Sequence, residues 1–276
     1  MIAIDGYDIN YKITGDGSET VVILQGWGTT LEVYDSIVRV LAPVYRVVQL
    51  DLPGFGGSSE PREPWDVSAY CRFFEKFMAA LHIERAHLIG HSYGGRMIIR
   101  LAAEGCSFGI GKILLVDAAG IVPRKSFATR AKIRVFKMGK WILTRPFVYG
   151  LIPETVDGWM SQQGSADYRN ATPMMRQCLV RAVNEDLSHL LPDIKNETLL
   201  VWGTADTATP LADGKLMEEK IPGAALVTIE GAGHYSFLEQ PQLFAGLLRS
   251  YLQIEGEDVF LLEKLEMITL VCGLAA

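Results

Sequence analysis

The chain has 276 residues, 49% of them hydrophobic and 21% charged, with a formal net charge of −6. This allows one domain with a large core, or a core with a satellite lobe, and provides no global positive field to hold nucleic acid. Four cysteines, Cys71, Cys106, Cys178 and Cys272, lack both metal-ligand spacing and the density of a secreted disulfide scaffold, so reduced thiols in a cytoplasmic protein are expected.

The N-terminus, MIAIDGYDINYKITG, alternates as strands do and has no charged head followed by an apolar signal core. Two short strands are predicted there. Thr20 to Gly26 is then a continuous apolar run of strand length that stops at glycine. The same pattern recurs at Tyr45 to Asp51, Ala86 to His91, Lys112 to Gly120, Thr198 to Gly203 and Ala224 to Gly231. Helical spacing covers Val67 to Leu81, Met97 to Glu104, Leu211 to Lys220 and Gln242 to Leu252. Apolar strands separated by helices predict an α/β fold with a mainly parallel sheet of about eight strands and helices on both faces.

One interval breaks the rhythm. Between Gly120 and Thr198 lie roughly eighty residues without a convincing strand, too long for a plain loop, so a helical cap over 121–197 is expected. It would follow the sixth main strand and sit between core segments 1–120 and 198–253. Its first part, PRKSFATRAKIRVFKMGKWILTRP, carries eight basic residues and no acidic one. Two readings stay open for it, a solvated helix face and an attraction for an anionic substrate or membrane surface. Met174, Met175, Trp141, Trp159, Phe147 and Tyr149 suggest apolar contacts for the pocket, most of them packing as core and about a third touching substrate. The tail, 254–276, is expected to be helical; its clean apolar run of ten residues is too short to span a bilayer. It reads as a docked helix or a homodimer contact.

The chemistry is concentrated in LIGHSYGG, residues 88–95, where G-x-S-x-G falls between a strand and a helix. A sharp turn there holds Ser92 in a strained conformation at the tip of the sheet, and small flanking residues avoid the neighbouring strand and helix. A serine hydroxyl is a weak nucleophile until a base takes its proton, and that base needs an acid to hold its tautomer. His234 lies just beyond the strand Ala224 to Glu230, in GAGHYSFLEQP, and Asp206 lies just beyond Thr198 to Gly203, in VWGTADTATP. Asp117, at the end of KILLVD, is the alternative acid. Donors for the oxyanion are expected from the backbone N–H of Tyr93 and, in LQGWGTT, from that of Trp27.

These segments, QGWG, DLPGFGGS, GHSYGG, WGTADTATP and GAGHYSFLEQP, resemble the α/β-hydrolase superfamily over residues 1 to about 253 and stand in its order of nucleophile, acid, histidine. Within it the chain resembles the lidded small esterases, lactonases and carbon–carbon bond hydrolases. VDAAGIVPRK and SADYRNATPMMR resemble uncharacterised bacterial hydrolases. Gln25 departs from the histidine that many relatives carry before GWG. DLPGFGGS is expected to be architectural.

The implied activity is hydrolysis of a small or medium acyl ester through Ser92, His234 and Asp206, with no metal or organic cofactor. Acyltransferase, lyase and carbon–carbon hydrolase chemistry would use the same three residues. A small-molecule receptor on the same fold is the reading from another class.

Overall fold

The computed structural model describes residues 1–122, 138 and 165–254. The basic stretch at 123–146, apart from residue 138, and most of the apolar tail lie outside them, as do Trp141, Phe147, Tyr149 and Trp159.

Nine strands form among the described residues, two more than the main sheet holds. β1 (Ile2–Ile4) and β2 (Tyr7–Ile9) pair as a separate two-stranded hairpin. β3 (Tyr11–Thr14), β4 (Thr20–Leu24), β5 (Arg46–Leu50), β6 (Arg85–His91), β7 (Gly109–Val116), β8 (Thr198–Gly203) and β9 (Ala225–Ile229) make a seven-stranded sheet in the order β3-β5-β4-β6-β7-β8-β9. β3 is antiparallel to β5, and every other pairing is parallel. The expected count of about eight included two N-terminal strands. The chain turns twice there, at Asp5–Gly6 and near Asn10, so three short strands form and one joins the sheet.

Strand periodicity explains why these segments read as unbroken apolar runs. Val22, Leu24, Leu88, Ile113, Leu115, Leu200 and Trp202 pack into one core, and their sequence neighbours Val21, Ile23, Ile89, Leu114, Val116, Leu199 and Val201 pack into a second. Successive side chains point to opposite faces, so a sheet covered on both sides demands apolar residues at every position. The first face is covered by α2 (Val67–Ala80), through Phe73, Phe74 and Phe77, and by α3 (Tyr93–Glu104), through Met97, Ile98 and Leu101. The second is covered by α1 (Asp35–Leu41), through Ile37, Val38 and Leu41, and by the C-terminal helix at Pro241–Leu252, through Phe244, Leu247 and Leu248. Truncating a fully buried aromatic such as Phe77 to alanine would cost roughly 3–5 kcal/mol.

In the region expected to form the cap, the described part is helical: α4 (Ala166–Asn170) and α5 (Pro173–Asn184). Thr172 caps α5 by accepting from Met175 N–H, and Pro173 occupies its first turn, where a missing N–H costs nothing. Met175 is buried against Tyr70 rather than in a pocket. α6 (Leu211–Lys220) and α7 (Ser236–Glu239) precede the C-terminal helix, α8 (Pro241–Leu252). α7 is a single turn that periodicity alone does not reveal. No helix among the described residues is long and apolar enough to cross a membrane.

Candidate active site

Each parallel strand delivers a polar residue to the same edge of the sheet, its C-terminal end, where such sheets place their ligands. β4 leads to Gln25 and Trp27, β5 to Asp51, β6 to Ser92, β7 to Asp117, β8 to Asp206 and β9 to His234.

Ser92 joins β6 to α3 at φ 48°, ψ −108°, a conformation that costs energy for any residue with a Cβ. Its neighbours hold it there: Ser92 N–H donates to Val116 O at 3.1 Å, while Gly95 and Ala119 N–H donate to Ser92 O at 3.0 and 2.9 Å. The flanking glycines permit the approach. A Cβ on Gly94 would lie 2.1 Å from Leu24 O of β4, and one on Gly90 would lie 2.8 Å from Gly94 C and Gly95 N in α3.

His234 Nε2 lies 2.9 Å from Ser92 Oγ, and His234 Nδ1 lies 2.8 Å from Asp206 Oδ2. A carboxylate only accepts, so Nδ1 carries the proton and Nε2 is free to accept from the serine hydroxyl. Asp206 is buried and anchored by Ala208 N–H at 2.7 Å and Thr209 N–H at 3.0 Å on Oδ1, and by the Thr209 hydroxyl at 2.7 Å on Oδ2. Burial alone would raise its pKa. The hydrogen bonds from His234 and Thr209 outweigh that and hold it below the usual carboxylate value. Thr209 is in turn fixed by Trp202 Nε1–H, which donates to its carbonyl at 2.8 Å.

Asp117 does not reach His234. Its carboxylate accepts from Gly203 N–H at 2.8 Å, Ser236 N–H at 3.1 Å and the Ser236 hydroxyl at 2.6 Å, tying the loops after β8 and β9 to the end of β7. It is fully buried, and that burial pushes its pKa up to about 6 against those three bonds, with Asp206 adding to the rise.

The loop after β4 faces Ser92 from the other side. Trp27 packs edge-on against Phe55 and Tyr93, with ring centroids 4.9 and 5.2 Å apart. Among the described residues neither Trp27 N–H nor Tyr93 N–H donates to another protein group. Gln25 holds this loop: its Oε1 accepts from Leu52 N–H at 3.1 Å and its Nε2 donates to Thr29 O. The amide thus takes two main-chain partners, one as acceptor and one as donor. Asp51 is architectural, as expected, accepting from Leu31 N–H, Gly57 N–H and Asn10 Nδ2 at 2.8 to 2.9 Å.

His91 is a residue the sequence reading passed over. Buried behind Ser92, it is 3.0 Å from the Tyr34 hydroxyl through Nδ1 and 2.8 Å from His234 O through Nε2. Tyr34 also accepts from Gly26 N–H at 2.6 Å. One buried imidazole therefore links the β4 loop to the histidine loop. Burial lowers its pKa to about 3, so it stays neutral and its Nε2–H donates to the His234 carbonyl.

A cavity of about 320 Å³ opens beside Ser92, walled by Trp27, Arg96, Leu179, Val183, Pro210 and Tyr235 among others. Neither Met174 nor Met175 is among its walls. Leu179, Ala182 and Val183, also from α5, take that place, because the helix turns Met175 into the core beneath.

The fold and this edge coincide with a known pattern: the model of the alpha/beta hydrolase fold matches residues 19–241. The chain belongs to the alpha/beta hydrolase family. The hydrolase is 26% identical to a pimeloyl-[acyl-carrier protein] methyl ester esterase of Neisseria meningitidis, over 88% of this chain and 96% of the relative. It is 28% identical to the dihydrolipoyllysine-residue acetyltransferase component of the acetoin cleaving system of Cupriavidus necator, over 90% of this chain and 67% of the relative. Among solved structures, a hydrolase from Pseudomonas aeruginosa superposes with a TM-score of 0.69 at 25% identity, over 90% of this chain and 95% of that one.

Proposed function

We propose that this hydrolase cleaves acyl esters of small or medium size, with Ser92 as nucleophile, His234 as general base and acid, and Asp206 as the group that holds His234 in its tautomer. The observation that carries this reading is the unbroken chain of hydrogen bonds from Ser92 Oγ through His234 to Asp206, lying beside two uncommitted backbone N–H groups at the edge of a cavity. The esterase among the relatives supports the choice of ester over other acyl compounds.

In this mechanism Ser92 Oγ attacks the carbonyl carbon as its proton passes to His234 Nε2. The charge that develops on the carbonyl oxygen is met by Trp27 and Tyr93 N–H, each such donor contributing about 3 kcal/mol to the transition state. Collapse breaks the C–O bond, and the departing alcohol takes the proton from His234. Water, deprotonated by His234, then attacks the acyl-enzyme and releases the acid. An alcohol or thiol in place of water would make the same site an acyltransferase, a reading the Cupriavidus relative keeps in view and product mass would distinguish. Residues 121–197 are proposed as the cap that closes the pocket over the core segments 1–120 and 198–253.

Intact-mass spectrometry after exposure to a fluorophosphonate tests the nucleophile, with p-nitrophenyl butyrate as a turnover probe. An adduct and p-nitrophenol release in the wild type, both absent in a folded Ser92→Ala variant, are expected. A folded wild type that shows neither would overturn the esterase reading in favour of a lyase or a receptor.

A further inference from the structure

Arg96 lies one helical turn beyond Ser92 on α3 and walls the same cavity, although it is only 5% exposed. Of the five N–H bonds a guanidinium carries, one is used among the described residues: Nη1 donates to Glu185 O at 2.7 Å. No carboxylate lies within 4.0 Å of it among the described residues. Arg100, one turn further along the same helix, shows what a structural arginine does here, since it pairs with both Glu104 and Glu185.

The acidic groups whose charges reach Arg96 are Glu185, Asp186 and Asp213. Glu185 is committed to Arg100, and Asp186 accepts from Val122 N–H, Ser188 N–H and the Ser188 hydroxyl. Asp213 lines the cavity and its carboxylate makes no hydrogen bond among the described residues. Burial, with Asp206 adding to it, raises the Asp213 pKa above the ordinary carboxylate value, while the Arg96 charge works the other way. Desolvating a guanidinium without a counter-charge is costly, and the cost is recovered when an anion enters the fork. Tyr93, next to the nucleophile, adds a second polar group without a partner: its hydroxyl is buried and makes no hydrogen bond.

We propose that Arg96 recognises a carboxylate carried by the substrate, so that the ester cleaved at Ser92 is an acidic one, with its anionic group and scissile carbonyl on the same small molecule. This rests on the reading of Ser92 as the reacting residue. The guanidinium is a specificity group that touches the substrate's far end and takes no part in bond breaking.

The test is calorimetric binding of monomethyl adipate and of dimethyl adipate to the full chain carrying Ser92→Ala, where no hydrolysis can intervene. The monoacid is expected to bind at least tenfold more tightly than the diester. Adding Arg96→Gln should bring the two within about twofold, and Arg96→Lys should retain part of the preference. Equal affinity for the two probes in the Ser92→Ala chain, or a preference that survives Arg96→Gln, overturns the proposal. If Arg96→Gln does not fold, the two-probe comparison and Arg96→Lys still decide. Asp213→Asn should tighten the monoacid; loss of the preference on that substitution would transfer recognition to Asp213 and overturn the assignment. Because binding is read without catalysis, selective binding by Ser92→Ala beside an inert wild type would sustain the Arg96 site while the esterase reading falls.

Discussion

Asp117 and Asp206 follow neighbouring parallel strands, β7 and β8, and both are buried at the C-terminal edge of the sheet. Their pKa values are nevertheless shifted in opposite directions. Asp206 has His234 and Thr209 to stabilise its charge and sits below the ordinary carboxylate pKa, whereas Asp117 has only neutral donors against full burial and rises to about 6. The first carboxylate is poised toward a group that can become a cation. The second clamps Gly203 and Ser236, and with them the two loops that carry Asp206 and His234. Position at a strand end therefore does not assign a role; the partner does.

The comparison can be broken most sharply at the residue both loops serve. Ser92→Ala should lower kcat/KM for p-nitrophenyl butyrate by about 10⁴-fold or more with an unchanged melting curve. Next in size, Asp206→Asn should cost roughly 10³-fold, because an amide facing Nδ1 favours the wrong tautomer, and circular dichroism should show a native fold. A loss under tenfold would mean Asp206 is not the histidine's partner. Asp117→Ala should show the reverse pattern. The orphaned donors of Gly203 and Ser236 should cost about 2 kcal/mol, lowering Tm by roughly 4–8 °C, while kcat/KM falls by no more than about tenfold.

The last comparison concerns pH. The folded pKa of Asp117, about 6, lies above its ordinary 3.8, so between pH 6 and 4 the folded chain takes up a proton the unfolded chain does not, and acidification stabilises. The folded pKa of His91, about 3, lies below its ordinary 6.5, so as pH falls from 6.5 the unfolded chain gains the proton and acidification destabilises. The two slopes, each up to about 1.4 kcal/mol per pH unit, oppose one another between pH 4 and 6. Relative to wild type, His91→Gln should grow more stable from pH 6 to 4 and Asp117→Asn less stable, as read by urea unfolding at both pH values. Parallel curves for all three proteins would remove both assignments.

Much of this molecule was legible from residue order. Strand runs, the four helices read at 67–81, 97–104, 211–220 and 242–252, and the loops bearing Ser92, Asp206 and His234 follow from local pattern, because pleat period, helix period and glycine turns are properties of a few adjacent residues. The start of α3 does not follow from local pattern. The helix after Ser92 begins at Tyr93, four residues earlier than its apolar period suggests, because Gly94 is required by contact with Leu24 of β4 and Gly95 by contact with Ala118 after β7, not by helix propensity.

What pairs with what was decided only by the tertiary structure. Nothing in KILLVD or VWGTADT separates one aspartate from the other; β7 and β8 lie side by side, and the register of β8 with β9 sets Gly203 against Ile229, which brings the Asp206 loop to His234. His91, Tyr34 and Arg96 carry no local signal for the same reason. Their meaning lies in groups 57 to 143 residues away along the chain, and only a folded sheet brings those within 3 Å.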